Sequence, residues 1–127
     1  MKQKYLRCAH CGNIVACVYE SGVPVMCCGE RMGEVVPGVT DASVEKHVPV
    51  IEINGNIVEV RVGSIEHPMS AEHYIEWISI STKEGNQRKQ LLPTDKPVAR
   101  FSLVDGDEVL CAYAYCNLHS LWKSENK

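Results

Sequence analysis

The chain has no long apolar run and no surplus of positive charge. Thirteen Lys and Arg stand against sixteen Asp and Glu, a net charge of -3. That acidic balance argues against a general nucleic-acid binder, whose affinity rests on neutralising phosphates. No stretch approaches the roughly 20 consecutive apolar residues that a membrane span needs. With 45% apolar and 23% charged residues the composition also excludes a disordered chain. The basic start, Met1 to Cys8, has no apolar run behind it and so does not read as a secretory signal. The expected setting is therefore cytoplasmic, where thiols stay reduced. The seven cysteines, an odd number, are then expected to be metal ligands or buried thiols rather than a disulfide framework.

What is present begins with a thiol pattern. Cys8-Ala9-His10-Cys11-Gly12 is followed by Cys27-Cys28-Gly29, and thiolates two residues apart on a Gly-containing turn can grip one ion tetrahedrally. The second pair is adjacent rather than spaced, which should strain the tetrahedron. Between the pairs, Ile14 to Tyr19 and the Ser21-Gly22 turn predict a short hairpin. A segment of this size cannot bury enough surface to fold alone, so the ion should be part of its fold. Four thiolates suit zinc and iron equally. Cys17, among apolar residues, reads as packing, and His10 as solvated.

Glu30 to Thr40 carries Gly33, Pro37 and Gly38 without periodicity and marks a boundary, giving domains at residues 1–37 and 38–127. The second module contains a clear hairpin signal: Val48 to Ile53, the turn Asn54-Gly55-Asn56, then Ile57 to Val62. Further strands are predicted at Tyr74–Ser81, Gln87–Leu92, Val98–Leu103 and Glu108–Tyr115. Short strands separated by turn signals, with no helical period, predict a mainly β antiparallel sandwich. In the last of them the pleat places Leu110, Ala112, Ala114 and Cys116 on one face and Val109, Cys111, Tyr113 and Tyr115 on the other. Cys111 should then be unable to join Cys116 at one metal unless a bulge intervenes.

Cys116 and His119 stand three positions apart, and His47, His67 and His73 lie beside turn-like or charged residues. Four imidazoles and a thiolate exceed the four ligands of a structural zinc site and leave one place in a six-coordinate shell. That donor set points to a redox metal, and iron fits it. Pro68 after His67, and Pro49 two residues after His47, preset the backbone at both positions. Lys46 beside His47 supplies a local positive field for a small anion, and Glu45 a carboxylate that could take the sixth place when the iron is oxidised. Trp77 and Trp122 read as packing, or as a shield against water.

Together, Cys8, Cys11, Cys27 and Cys28, Glu45-Lys46-His47-Val48-Pro49-Val50, His67-Pro68-Met69, His73-Tyr74-Ile75-Glu76-Trp77 and Cys116-Asn117-Leu118-His119 resemble the desulfoferrodoxins, the two-iron superoxide reductases. The resemblance covers almost the whole chain. It implies a desulforedoxin-like N-terminal domain with a distorted four-thiolate iron, followed by an immunoglobulin-like β-sandwich holding the catalytic iron. It further implies that His47, His67, His73 and His119 are equatorial ligands and Cys116 axial, that Lys46 attracts superoxide, and that Glu45 binds the ferric iron. A homodimer reduced by a small donor such as rubredoxin is implied as well. Cys17 and Cys111 receive no role from it. The competing expectation is a non-catalytic iron electron carrier or a zinc-stapled binding module in which the histidines are incidental.

Overall fold

A computed structural model describes residues 3–126. The chain divides into two compact units, one ending at Val36 and the other running from Pro37.

In the first unit, β1 (Tyr5–Arg7) is flanked by β2 (Ile14–Ala16) and β5 (Gly33–Glu34) in an antiparallel sheet, and β3 (Met26–Cys27) pairs with β4 (Glu30–Arg31). The hairpin expected across Ser21-Gly22 does not form. Ile14 to Ala16 instead pairs back onto β1 across the first cysteine turn, with Leu6 opposite Val15. That register buries Leu6 with Cys8 and Met32, whereas Val18 and Tyr19, the far half of the expected strand, are exposed. Cys17 follows β2 and packs against this small cluster, as does Cys27. Only Tyr5, Leu6, Cys8 and Met32 are buried apolar residues among the described part of this unit, a core too small to support so short a segment alone. An ion held among the four thiols would stabilise such a unit.

The second unit opens with a single helical turn, α1 (Val44–His47), that the sequence pattern did not predict. Seven described strands follow: β6 (Pro49–Asn54), β7 (Ile57–Val62), β8 (Ile75–Thr82), β9 (Gly85–Gln90), β10 (Val98–Ser102), β11 (Val109–Cys116) and β12 (Ser120–Glu125). They form two antiparallel sheets, ordered β10-β7-β6 and β12-β11-β8-β9. The expected sandwich is present. Asn54 pairs with Ile57, so the β6–β7 turn is two residues, with Gly55 at φ 61°, the left-handed geometry that such turns demand. Val58, Val60 and Val62 of β7 and Ala99 and Phe101 of β10 meet Ile78 and Ile80 of β8 and Ala112 and Ala114 of β11 in one core.

The pleat expected for β11 holds from Cys111 onward. Ala112, Ala114 and Cys116 face the core, and Cys111 joins neither metal-ligand cluster. It fails at the start of the strand, where a register shift between Val109 and Cys111 turns Val109 into the core and Leu110 outward. A second shift between Tyr115 and Cys116 brings Ile75 opposite Cys116. Bulges of this kind re-aim side chains at the ends of strands, and this one lies where the sandwich delivers its thiol.

Candidate metal centres

Cys8, Cys11, Cys27 and Cys28 converge, their sulfurs all within 4.8 Å of one another. Each pair is placed by a tight turn. The first is closed by the Gly12 N–H donating to the Cys8 carbonyl (3.1 Å) and the Cys8 N–H donating to Asn13 O (2.9 Å). The second is the two-residue turn of the β3–β4 hairpin, with Cys28 at φ 52° and Gly29 at φ 75°. Both central residues are left-handed, as this turn type requires, and at Cys28 a side chain bears the strain that a glycine would avoid.

The thiol chemistry fits a bound cation. Four sulfurs about 2.3 Å from one ion stand about 3.8 Å apart, and the Cys11 and Cys27 sulfurs are separated by 3.6 Å. The N–H groups of Cys11 and His10 donate to the Cys8 sulfur and bring its thiol down to about 6. Cys28 is pushed up to about 12 by the neighbouring Cys11, Cys8 and Cys27 thiols. Four thiolates cannot share this volume without a positive charge among them. His10 is exposed, as expected, and its Nε2 lies 3.0 Å from a Glu30 carboxylate oxygen.

The second group gathers at one end of the sandwich. His47 ends α1, His67 and His73 lie within the loop between β7 and β8, and Cys116 and His119 flank the turn between β11 and β12. The rings of His47, His67, His73 and His119 form a near-square. Successive centroids lie 4.7, 4.7, 5.2 and 4.9 Å apart, each ring nearly perpendicular to the next, and the His47–His73 diagonal is 6.4 Å. The Cys116 thiol is wholly buried, within 4.8 Å of the ligating nitrogens of His47, His67 and His73 and 3.8 Å from His119 Nδ1.

Hydrogen bonding fixes which nitrogens face inward. The Nδ1–H of His47 donates to Ser43 O and that of His67 to Pro68 O, both at 2.7 Å. Each Nε2 therefore carries a lone pair, yet the two stand 3.2 Å apart. Neither can donate to the other. His73 Nε2 is buried with no hydrogen-bond partner, and His119 Nδ1 lies 3.1 Å from His47 Nε2. Burial holds the three imidazoles below their ordinary range, His67 at about 4, and drives the Cys116 thiol up. Neutral lone pairs crowded around a buried thiol are what a cation would reconcile. The donors are imidazole and thiolate, which suit iron.

Lys46 and Glu45 are exposed on α1, and the Lys46 ammonium is close enough to disfavour protonation of His47 and His73. Hydrogen bonding from its own backbone N–H holds the Glu45 carboxyl below its usual range. This turn is strapped to the strand end opposite, for the Glu45 carbonyl accepts the Ile65 N–H (2.9 Å) and the Ser64 hydroxyl (3.2 Å). A methyl group on Gly63 would lie 2.6 Å from that carbonyl oxygen and 3.0 Å from both Lys46 C and Val48 O. Rigid backbone surrounds it on that side, so Gly63→Ala must push the Glu45–His47 turn away. We expect it to weaken ferrous iron binding at the histidine group by about tenfold or more, measured by chelator competition. Unchanged affinity would show that the turn can shift without carrying His47.

The two tryptophans part company. Trp77 stacks on Tyr115 (5.6 Å, 7°) on the sheet face away from Cys116. Trp122 is no mere packing residue, because its ring lies 5.0 Å from that of His47 and its indole N–H donates to His119 O at 2.9 Å. The sequence reading ended its strands at Tyr115 and so missed β12, which carries Trp122. The adjacent Leu121 and Trp122, both buried, were the available signal. Gly63 was missed as well, since nothing in its neighbours announces a backbone approach.

A mainly β chain with a four-thiol knuckle, and with a square of imidazoles backed by a thiol, has the build of a small non-haem metalloprotein with two chemically distinct centres. It belongs to the desulfoferrodoxin family, whose profile matches residues 39–125. It is 47% identical over 118 residues to a desulfoferrodoxin homolog from Archaeoglobus fulgidus, covering 93% of each chain. It is 45% identical to a desulfoferrodoxin from Nitratidesulfovibrio vulgaris, covering 94% of this chain and 93% of that one. Among solved structures, the superoxide reductase from Treponema pallidum is similar at a TM-score of 0.84 and 37% identity, covering 98% of this chain and all of that one. A superoxide reductase (1Fe-SOR) from Giardia intestinalis is similar over 65% of this chain and 98% of its own, at a TM-score of 0.55 and 37% identity.

Proposed function

We propose that the protein is a superoxide reductase. The observation that carries this is the imidazole square backed by the buried Cys116 thiol, five donors gathered at one site. His47, His67, His73, His119 and Cys116 would hold the iron. Bound there, ferrous iron would supply the single electron that, with two protons, converts superoxide to hydrogen peroxide. The residues provide the rest. His47 and His67 are fixed in one tautomer by Ser43 O and Pro68 O. The N–H groups of Leu118 and His119 favour the Cys116 thiolate against its burial, and Trp122 covers one face of His47. Glu45 is the carboxylate available for the sixth place once product has left.

Residues 1–37 would form the four-thiolate iron domain and 38–127 the catalytic sandwich. Zinc in the first site is compatible with the same four sulfurs. Resemblance to the family supports a homodimer in the cytoplasm, re-reduced by a small donor such as rubredoxin. Among the described residues no helix is long and apolar enough to cross a membrane. Metal analysis with a visible spectrum tests the reading: two irons per chain with thiolate-to-iron bands from each centre support it. Colourless zinc protein would overturn it in favour of a binding module.

Lys46 would draw superoxide toward the square. Its charge already acts on His47 and His73, so Lys46→Ala should slow the second-order step by roughly tenfold or more at low salt. Screening separates steering from other effects, because the Debye length falls from about 30 Å at 0.01 M to about 10 Å at 0.1 M. Wild type should slow as salt rises and Lys46→Ala should respond more weakly, with Lys46→Arg close to wild type. Equal salt slopes in pulse radiolysis would place the attracting field elsewhere.

A further inference from the structure

His73 differs from two of its companions. The rings of His47 and His67 are each held by an Nδ1–H donated to a carbonyl, whereas His73 Nε2 is buried and unpartnered. The hydrogen bonds that hold this segment are to the backbone of His73 and of its two neighbours. The loop from Pro68 to Tyr74 contains no regular structure, and Ser70 closes a local turn on His73, its N–H donating to His73 O (3.0 Å) and its hydroxyl accepting the His73 N–H (3.2 Å). Ser70 is exposed and belongs to the same loop, so it can shape the turn but cannot anchor it to the rest of the site.

Asn117 can. It lies in the turn between Cys116 and His119, and its side-chain oxygen accepts the Tyr74 N–H at 2.9 Å while its Nδ2 donates to the Glu72 carbonyl at 2.9 Å. Its own backbone N–H donates to Tyr74 O at 3.2 Å. Glu72 and Tyr74 are the residues on either side of His73. One side chain thus grips the chain before and after a candidate ligand, from a turn whose ends are two others. We infer that Asn117 is a positioning residue for His73, fixing that imidazole relative to Cys116 and His119. The inference rests on the reading of this cluster as a metal centre.

The chemistry is specific to asparagine. The clamp needs one acceptor and one donor on a short planar group. Aspartate offers two acceptors and would set a carboxylate oxygen against the Glu72 carbonyl, leaving that carbonyl without its donor. Glutamine carries the same amide one methylene further out. Alanine releases both flanks and leaves only the backbone bond to Tyr74.

The test is a double-mutant cycle on ferrous iron affinity at the histidine group, measured anaerobically by chelator competition in the full chain. Asn117→Asp should weaken binding about ten- to a hundredfold, the usual consequence of losing a residue that orients a ligand. It should also shift the thiolate-to-iron band. On a His73→Ala background the same change should cost less than about twofold, because the ligand it acts through is gone. Asn117→Ala should behave in the same sense, and circular dichroism of the iron-free variants should match wild type. Equal losses with and without His73 would overturn the inference and make Asn117 a general brace of the turn. So would an Asn117→Asp protein that binds iron as wild type does. Failure of wild type to bind iron at this group would overturn the metal-centre reading with it. Wild type that binds iron but does not reduce superoxide would remove the proposed activity and leave the positioning role standing.

Discussion

Cys116→Ser should abolish superoxide reduction, lowering the rate by roughly a hundredfold or more, while the sandwich remains folded. Cys116 is wholly buried at the end of the core that includes Ile75, Ile78, Ala112 and Ala114. A hydroxyl in its place costs about 1–3 kcal/mol if it finds no partner. The core around it, from Val58 to Phe101, is spread over both sheets and does not rest on one sulfur. The site does. A serine hydroxyl stays protonated where a thiolate would form, and the site would lose the soft, electron-donating ligand that Cys116 would give the iron. Stopped-flow decay of superoxide alongside circular dichroism reads both quantities. Wild-type rates in Cys116→Ser would remove this residue from the site.

Cys28→Ser should destroy the first centre and leave the second working when an artificial reductant is supplied. The Cys28 sulfur sits at a strained left-handed turn position and shares its cluster with three other thiols that push it up to about 12. Removing it leaves three sulfurs where four close the shell, and serine offers a hard, protonated oxygen instead. The small cluster of Leu6, Cys8 and Met32 cannot replace what the ion contributes, so the unit should also lose stability. No residue of that shell belongs to the imidazole square. Loss of the first centre's visible bands, with peroxide still formed, is the expected result. Peroxide at background with the second iron still bound would mean that the two centres are obligately coupled.

Much of this was legible in the residues because the ligands are chemically rare and their spacings short. Cys8-x2-Cys11, Cys27-Cys28 and Cys116-x2-His119 announce donor chemistry wherever the chain puts them, and the β7 and β10 alternations fix which faces meet in the core. What could not be read is what depends on register and on distant backbone. The irregularity between Val109 and Cys111 exchanges the faces of Val109 and Leu110, and no local preference marks it. The pairing of β2 with β1 rather than across Gly22 is decided by what Leu6 buries. The single turn of α1 is too short to show a period. Gly63, Asn117 and Trp122 act on residues 15 to 18, 43 and 75 positions away, and only the fold brings those partners together.

The most direct measurement is the product balance when a known amount of superoxide is consumed by the fully reduced holoprotein under anaerobic conditions, with peroxide and dioxygen both quantified. Reduction gives one peroxide for each superoxide and no dioxygen from the enzyme, with one electron drawn from the donor each time. Half a peroxide and half a dioxygen for each superoxide, with no donor oxidised, would show dismutation and contradict the assignment of this imidazole square as a reductase centre.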